Sequence, residues 1–198
     1  MRLFVALQPP EHVVEDLAEF LEPRQQAEPD LRWSTPEQWH VTLAFLPTVL
    51  DRQLDELLDH LAQAAARRHP FALSVAGAGA FPDVAHGKVL YAGLQPLGTD
   101  GQPTEELTRL ATNVRAGSGR AGVAVDGARF HPHLTLARSG RPRDLTRWLR
   151  VVDTYRSASW TVEEITVFQS WLGQGPGGRA KHDVVAVLPL SGAPDAPG

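Results

Sequence analysis

The chain has no cysteine among its 198 residues, which excludes a disulfide framework, a thiolate zinc site and a cysteine nucleophile. It has no run of about 18 apolar residues, the length a membrane-spanning helix needs. The opening segment, MRLFVALQPPEH, holds too short an apolar stretch for a signal peptide. Together these absences lead us to expect a cytoplasmic protein with no membrane partner. A broad basic face is lacking too. The formal net charge is −4, which disfavours coating of long nucleic acids through many phosphate contacts and leaves open a small anionic group held by a few local cations.

What is present is ordinary globular material, with 42% apolar and 21% charged residues, so wholesale disorder and a coiled coil are excluded. Residues 2–7 form a short apolar run ended by Pro9 and Pro10, which predicts a strand. Val13, Val14, Leu17, Phe20 and Leu21 follow at the spacing of one helical face, with Pro23 expected to close the helix. The segment Ser34-Thr35-Pro36-Glu37-Gln38 carries a cap and a first-turn proline, predicting one helical turn before the strand-like WHVTLAFL. Leu54, Leu57, Leu58, Leu61 and Ala65 mark a second helix. Leu107, Leu110, Ala111 and Val114 mark a third, capped by Thr104 and ended by Gly117, Ser118 and Gly119.

Further strands are expected at 71–80, 89–94, 134–137, 160–171 and 183–190, with a short helix at 145–149 and a glycine-rich loop at 173–178. The late strands follow one another without long crossovers, which favours antiparallel pairing and the α+β class. Residues 1–190 are expected to form one compact domain, and 191–198, small residues and proline, a disordered tail.

One short pattern occurs twice: His40-Val41-Thr42-Leu43 and His133-Leu134-Thr135-Leu136. In a strand, His and Thr at i and i+2 point to one face while the intervening apolar residues point to the other. If the two strands lie together, two imidazoles and two hydroxyls meet in one cleft. Opening a cyclic phosphodiester needs a base for water and an acid for the departing ribose oxygen. Histidine, with its ordinary pKa near 6.5, can fill either role at working pH, and the threonine hydroxyls can donate to non-bridging oxygens. Arg138 is a further candidate for the phosphate, but regular alternation would put it on the face of Leu134 and Leu136, so a bend after Ala137 is required.

Paired His-x-Thr-x motifs separated by about half the chain resemble the two-histidine (2H) phosphoesterase superfamily. Within it, RLFVAL, WHVTLAFL, FALSVAGAGAFP and FHPHLTLAR resemble the RNA 2',3'-cyclic phosphodiesterases, formerly called 2'-5' RNA ligases, from Arg2 to about Leu190. The resemblance implies a bilobed fold, two pseudo-symmetric lobes of antiparallel sheet with flanking helices around a central cleft. It implies hydrolysis of RNA 2',3'-cyclic phosphate ends, or of a related cyclic nucleotide, to 2'-phosphomonoesters without metal or cofactor. By position it makes His40 the proton donor, His133 the acceptor, and Thr42, Thr135 and Arg138 the phosphate-binding residues.

Other readings stand beside this one. His131 and His133 form a His-x-His pair that could ligate a metal with His40 and a carboxylate. The same acid and base could run the reaction backwards and join RNA ends through a 2'-5' linkage, or the histidines could only bind phosphate in an RNA-end or cyclic-nucleotide binding module. His12, His60, His69, His86 and His182 read as solvated or structural. Arg138, Arg141, Arg143, Arg147 and Arg150 form a local cluster that could steer RNA or simply pair with acids. Trp33 and Trp39 flank the first motif, where core is the commoner place for tryptophan. Monomer is the default oligomeric state.

Overall fold

The computed structural model describes residues 1–28, 30–98, 101, 104–127 and 129–193. In chain order the strands are β1 (Leu3–Leu7), β2 (Arg32–Trp33), β3 (Val41–Leu46), β4 (Phe71–Phe81), β5 (Gly87–Leu97), β6 (His133–Arg143), β7 (Trp160–Val162), β8 (Glu164–Trp171) and β9 (Lys181–Pro189). The helices are α1 (Glu11–Ala27), α2 (Leu54–Ala66), α3 (Glu106–Arg120) and α4 (Thr146–Val152). The strands form one sheet in the order β7-β4-β5-β6-β3-β1-β8-β9, with β2 added beside β6. Every strand pair is antiparallel, as the short connections between the late strands imply.

The sheet curls, and its connectivity requires it. The expected strand 160–171 is two strands broken at Glu163: β7 pairs with β4 at one end of the sheet, whereas β8 pairs with β1 and β9 near the other. One residue links the two ends, so the sheet bends into a half-barrel. Alternation then sorts side chains between its faces. On β1, Leu3, Val5 and Leu7 join the main core with Val13, Leu17 and Leu21 of α1, Leu57 and Leu61 of α2 and Leu107 and Leu110 of α3. Phe4 and Ala6 point the other way and, with Phe168, form a small apolar floor on the open face.

Two helix ends differ from the sequence expectation. Pro23 lies inside α1 and does not close it. A proline inside a helix forfeits one main-chain bond and tilts the preceding turn, and here the Arg24 guanidinium donates to the Phe20 carbonyl in that turn. Gly117 likewise does not end α3, which runs on to Arg120. A Cβ at Gly117 would lie 3.0 Å from the His60 carbonyl oxygen, so this glycine serves the close approach of α3 to α2. The expected turn at Pro36–Gln38 is a 3-10 turn, with the Gln38 side chain accepting from Thr35 N–H at 3.3 Å. The N-cap of α3 is Glu105 and not the expected Thr104, whose hydroxyl lies one residue further out and accepts from the Glu106 N–H at 3.4 Å. Leu190 N–H donates to Glu163 O and Gly192 N–H to Arg68 O, so the chain is held through the start of the expected tail. Residues 194–198 of that tail lie outside the described residues.

Candidate active site

The two motif strands are neighbours at the centre of the sheet. Val41 of β3 pairs with Leu134 of β6, and this register continued by one residue sets His40 across from Thr135 and Thr42 across from His133. Val41, Leu43, Leu134 and Leu136 are buried in the core. His40, Thr42, His133 and Thr135 line a cleft of about 510 Å³ on the opposite face, together with Arg138. The pseudo-dyad between β3 and β6 extends to the flanking rings. Phe4 stacks on Phe168 at 5.0 Å in one half, and Tyr91 on Phe81 at 4.6 Å in the other.

Arg138 reaches the cleft through a β-bulge. Leu90 pairs with Ala137 and Tyr91 with Thr135, leaving Leu136 as an extra residue on β6. The insertion puts both Leu136 and Ala137 in the core and returns Arg138 to the face of Thr135. The change of face therefore occurs at Leu136–Ala137, one residue earlier than the bend expected after Ala137. β3 carries the same device: Val5 pairs with Ala44 and Ala6 with Thr42, leaving Leu43 extra. Its product is Phe45, which lines the cleft at the position where the second motif has Arg138. The Arg2 guanidinium lies 4.5 Å over the Phe45 ring, so each half presents one cation near this position.

Each histidine is held by the main chain two residues before it. His133 Nδ1 lies 2.7 Å from the carbonyl oxygen of His131. A carbonyl can only accept, so Nδ1 carries the proton and Nε2 is left with its lone pair. His40 is bonded to the Gln38 main chain in the same relation. Burial lowers the His40 pKa to about 4, with the positive charges of His182, His133 and Arg138 adding to the effect and the Gln38 bond opposing it. Burial also lowers His133, opposed by the His131 bond and helped by His131 and Arg138. Both rings are therefore neutral at neutral pH.

His182 of β9, read from sequence as solvated or structural, belongs to the cleft. Its ring stands edge-on to Phe4 at 4.8 Å and to His40 at 5.5 Å. It faces Ser170 across the β8–β9 ladder, a nonlocal register that its own neighbours in sequence do not announce. His131 lies outside the cleft lining and bonds Tyr91 Oη through Nε2 at 2.8 Å. Tyr91 reaches it across Gly79, its partner on β4, where a Cβ would overlap the tyrosine ring. Among the described residues no three His, Cys, Asp or Glu side chains are grouped to hold a metal ion, so the His-x-His pair lacks the third donor that the metal reading requires.

Of the arginines grouped in sequence after Thr135, only Arg138 lines the cleft. Arg143 is paired with Glu28 at 3.2 Å, and Arg147 lies over Trp148. The other cleft arginines, Arg2, Arg32 and Arg179, come from the residue before β1, from β2 and from the segment before β9. Trp39 is core. Trp33 is almost wholly buried, edge-on to Trp148 at 5.4 Å, and shows only its margin to the cleft. No helix among the described residues is long and apolar enough to cross a membrane.

Comparison with known proteins agrees with this arrangement. The family model described as "2'-5' RNA ligase superfamily" matches residues 7–171. A Thermus thermophilus protein named RNA 2',3'-cyclic phosphodiesterase is 32% identical over 183 residues, covering 87% of this chain and 83% of that one. A Geobacillus stearothermophilus protein of the same name is 29% identical over 165 residues, 82% of this chain, and the match spans 49% of its length. Among solved structures, TT0787 of Thermus thermophilus superimposes with a TM-score of 0.72 at 28% identity, covering 97% of this chain and 99% of that one. E. coli LigT with 3'-AMP has the same fold, at a TM-score of 0.70 and 24% identity, covering 96% of this chain and 98% of that one. The curled antiparallel sheet, the paired motifs and these matches together make the chain a member of the 2'-5' RNA ligase superfamily.

Proposed function

We propose that this protein is an enzyme that hydrolyses RNA 2',3'-cyclic phosphate ends to 2'-phosphomonoesters by metal-independent acid–base catalysis. The observation that carries this reading is the gathering of His40, Thr42, His133 and Thr135 in one cleft around the paired Val41 and Leu134, with each ring oriented by a main-chain bond two residues back. The relatives named RNA 2',3'-cyclic phosphodiesterase support the substrate. His133, neutral with Nδ1 protonated, takes a proton from water at Nε2 as the water oxygen bonds to phosphorus. The bond from phosphorus to the 3' oxygen breaks on the other side, and His40 returns a proton to that oxygen. Thr42, Thr135 and Arg138 donate to the non-bridging oxygens as charge concentrates there.

The low pKa of His40 fits this scheme. A phosphate entering among Arg138, His182 and His40 replaces net repulsion by attraction and raises the His40 pKa, so the acid is loaded by its own substrate. The test is turnover, in EDTA, of a short RNA ending in a 2',3'-cyclic phosphate, with 2'- and 3'-phosphate products resolved. Release of 2'-phosphate is expected, with kcat lower by roughly 10²- to 10⁴-fold for His40→Ala and His133→Ala. Replacement of Thr42 or Thr135 should cost less. A wild-type rate in His40→Ala, or no turnover by the unaltered protein in EDTA, overturns the assignment.

A further inference from the structure

Among the described residues, the cleft that the hydrolase reading uses is lined by four guanidinium groups, Arg2, Arg32, Arg138 and Arg179, and by no carboxylate side chain. In a chain of formal net charge −4, that is a strong local segregation of sign. Three of the four converge on one wall. Arg32 pairs with Arg138 across the β2–β6 ladder. Arg179 Nη2 donates to the carbonyl oxygen of Trp33, the residue after Arg32, at 3.0 Å. This bond fixes the guanidinium against the wall, and among the described residues its other nitrogens meet no protein acceptor. Arg32 and Arg138 also make no ion pair among the described residues. The carboxylate that feels Arg179 is Glu37, which lies outside the cleft lining and is held low chiefly by hydrogen bonds within its own turn.

Like charges brought together without an acid repel, and Arg32 and Arg138 are cross-strand partners. After burial, it is Arg32 that lowers the pKa of Arg138. A 2',3'-cyclic phosphodiester carries a single negative charge, and its two non-bridging oxygens are already provided for by Arg138, Thr42 and Thr135. Arg32 and Arg179 are in excess of what that group needs. A second anion beside the first would offset the repulsion, and a fixed guanidinium fork suits a phosphate. The geometry points to a second phosphate subsite, formed by Arg32 and Arg179, that takes the phosphodiester on the 5' side of the terminal nucleotide. The preferred substrate is then an oligonucleotide end, and a nucleoside cyclic phosphate leaves half of this wall empty.

Three substrates test this: adenosine 2',3'-cyclic phosphate, the same compound with a 5'-phosphate, and the dinucleotide ApA with a 2',3'-cyclic phosphate end. At fixed ionic strength, the last two should exceed the first in kcat/KM by about tenfold or more, the worth of one charge-assisted contact. Arg32→Gln and Arg179→Gln should each shrink that ratio toward one, whereas Arg67→Gln, on the exposed end of α2, should leave it intact. The ratio is insensitive to partial loss of folded protein. A parallel calorimetric arm compares 2'-AMP with adenosine 2',5'-bisphosphate and needs no turnover. The bisphosphate should bind tighter by the same factor and lose the advantage in both variants.

Equal rates for all three substrates with equal affinities would overturn the subsite and leave the hydrolase standing. Absence of turnover with a retained, Arg179-dependent preference for the bisphosphate would support the subsite and remove the hydrolase. A gain confined to the 5'-monophosphate, absent from the dinucleotide, would overturn the oligonucleotide assignment.

Discussion

His182 stands edge-on to His40, with ring centroids 5.5 Å apart and planes crossing at 76°. After burial, His182 is the largest influence holding the His40 pKa down to about 4. Where both rings take up protons at acid pH, the His182 charge opposes protonation of His40. His182→Asn should therefore raise the His40 pKa in protein without added nucleotide, while saturating 2'-AMP should raise it in the unaltered protein. Proton NMR titration of the histidine C2 signals reads both shifts. A His40 signal that titrates near 6.5 in the free protein, unmoved by either change, would remove this opposition.

The same rings set a pH dependence of stability. His40, His133 and His182 all have folded pKa values below the ordinary histidine value, first of all through burial. The unfolded chain therefore binds more protons than the folded one in the window below about 6.5. Stability from these groups is complete above that value and is lost progressively as pH falls toward about 4. Urea unfolding midpoints should drop between pH 7 and pH 4.5, and His40→Asn should flatten part of that slope. An unchanged slope in His40→Asn would show that its imidazole titrates alike in both states.

How far the sequence reaches depends on distance along the chain. The face shared by His40 and Thr42, or by His133 and Thr135, follows from alternation over three residues, and the structure sets all four in one cleft. That alternation could not foresee the extra residues Leu43 and Leu136, because a bulge is decided by the partner strand. Nor could it place His182, Arg2, Arg32 and Arg179, which reach the cleft through the β8–β9 ladder, the edge of β1, the β2–β6 ladder and a bond to Trp33. Pro23 misled for another reason. Proline disfavours a helix interior, but its cost of about 3 kcal/mol acts in a helix that also buries Val13, Leu17 and Leu21.

The bulge at Leu136 makes Arg138 a test of cleft electrostatics separate from the histidines. Its guanidinium faces the same space as Thr135 and depresses the pKa of both His40 and His133. Arg138→Ala should lower kcat/KM for adenosine 2',3'-cyclic phosphate by about 10²-fold, the loss typical when one oxyanion donor is removed. Arg138→Lys should fall between, because an ammonium keeps the charge and loses the two-pronged geometry. An Arg138→Ala rate within twofold of the unaltered protein would mean that this side chain does not touch the phosphate.

Gly79 couples packing to His133, the base of the proposed mechanism. Its partner Tyr91 lays its ring where a Cβ would stand, and the Tyr91 hydroxyl meets His131 Nε2 at 2.8 Å. The carbonyl of His131 in turn orients His133. Gly79→Ala must displace the Tyr91 ring, at a cost of about 1–3 kcal/mol for overpacking, and should lower kcat by loosening His133 through His131. Tyr91→Phe removes only the hydroxyl and should leave stability nearly unchanged with a smaller loss of kcat. Tyr91→Ala vacates the space, so Gly79→Ala added to it should cost little further stability. Chemical unfolding of the two single variants and the double variant gives the coupling between the positions. Strict additivity of the two losses would show that the glycine is not there to admit the tyrosine ring.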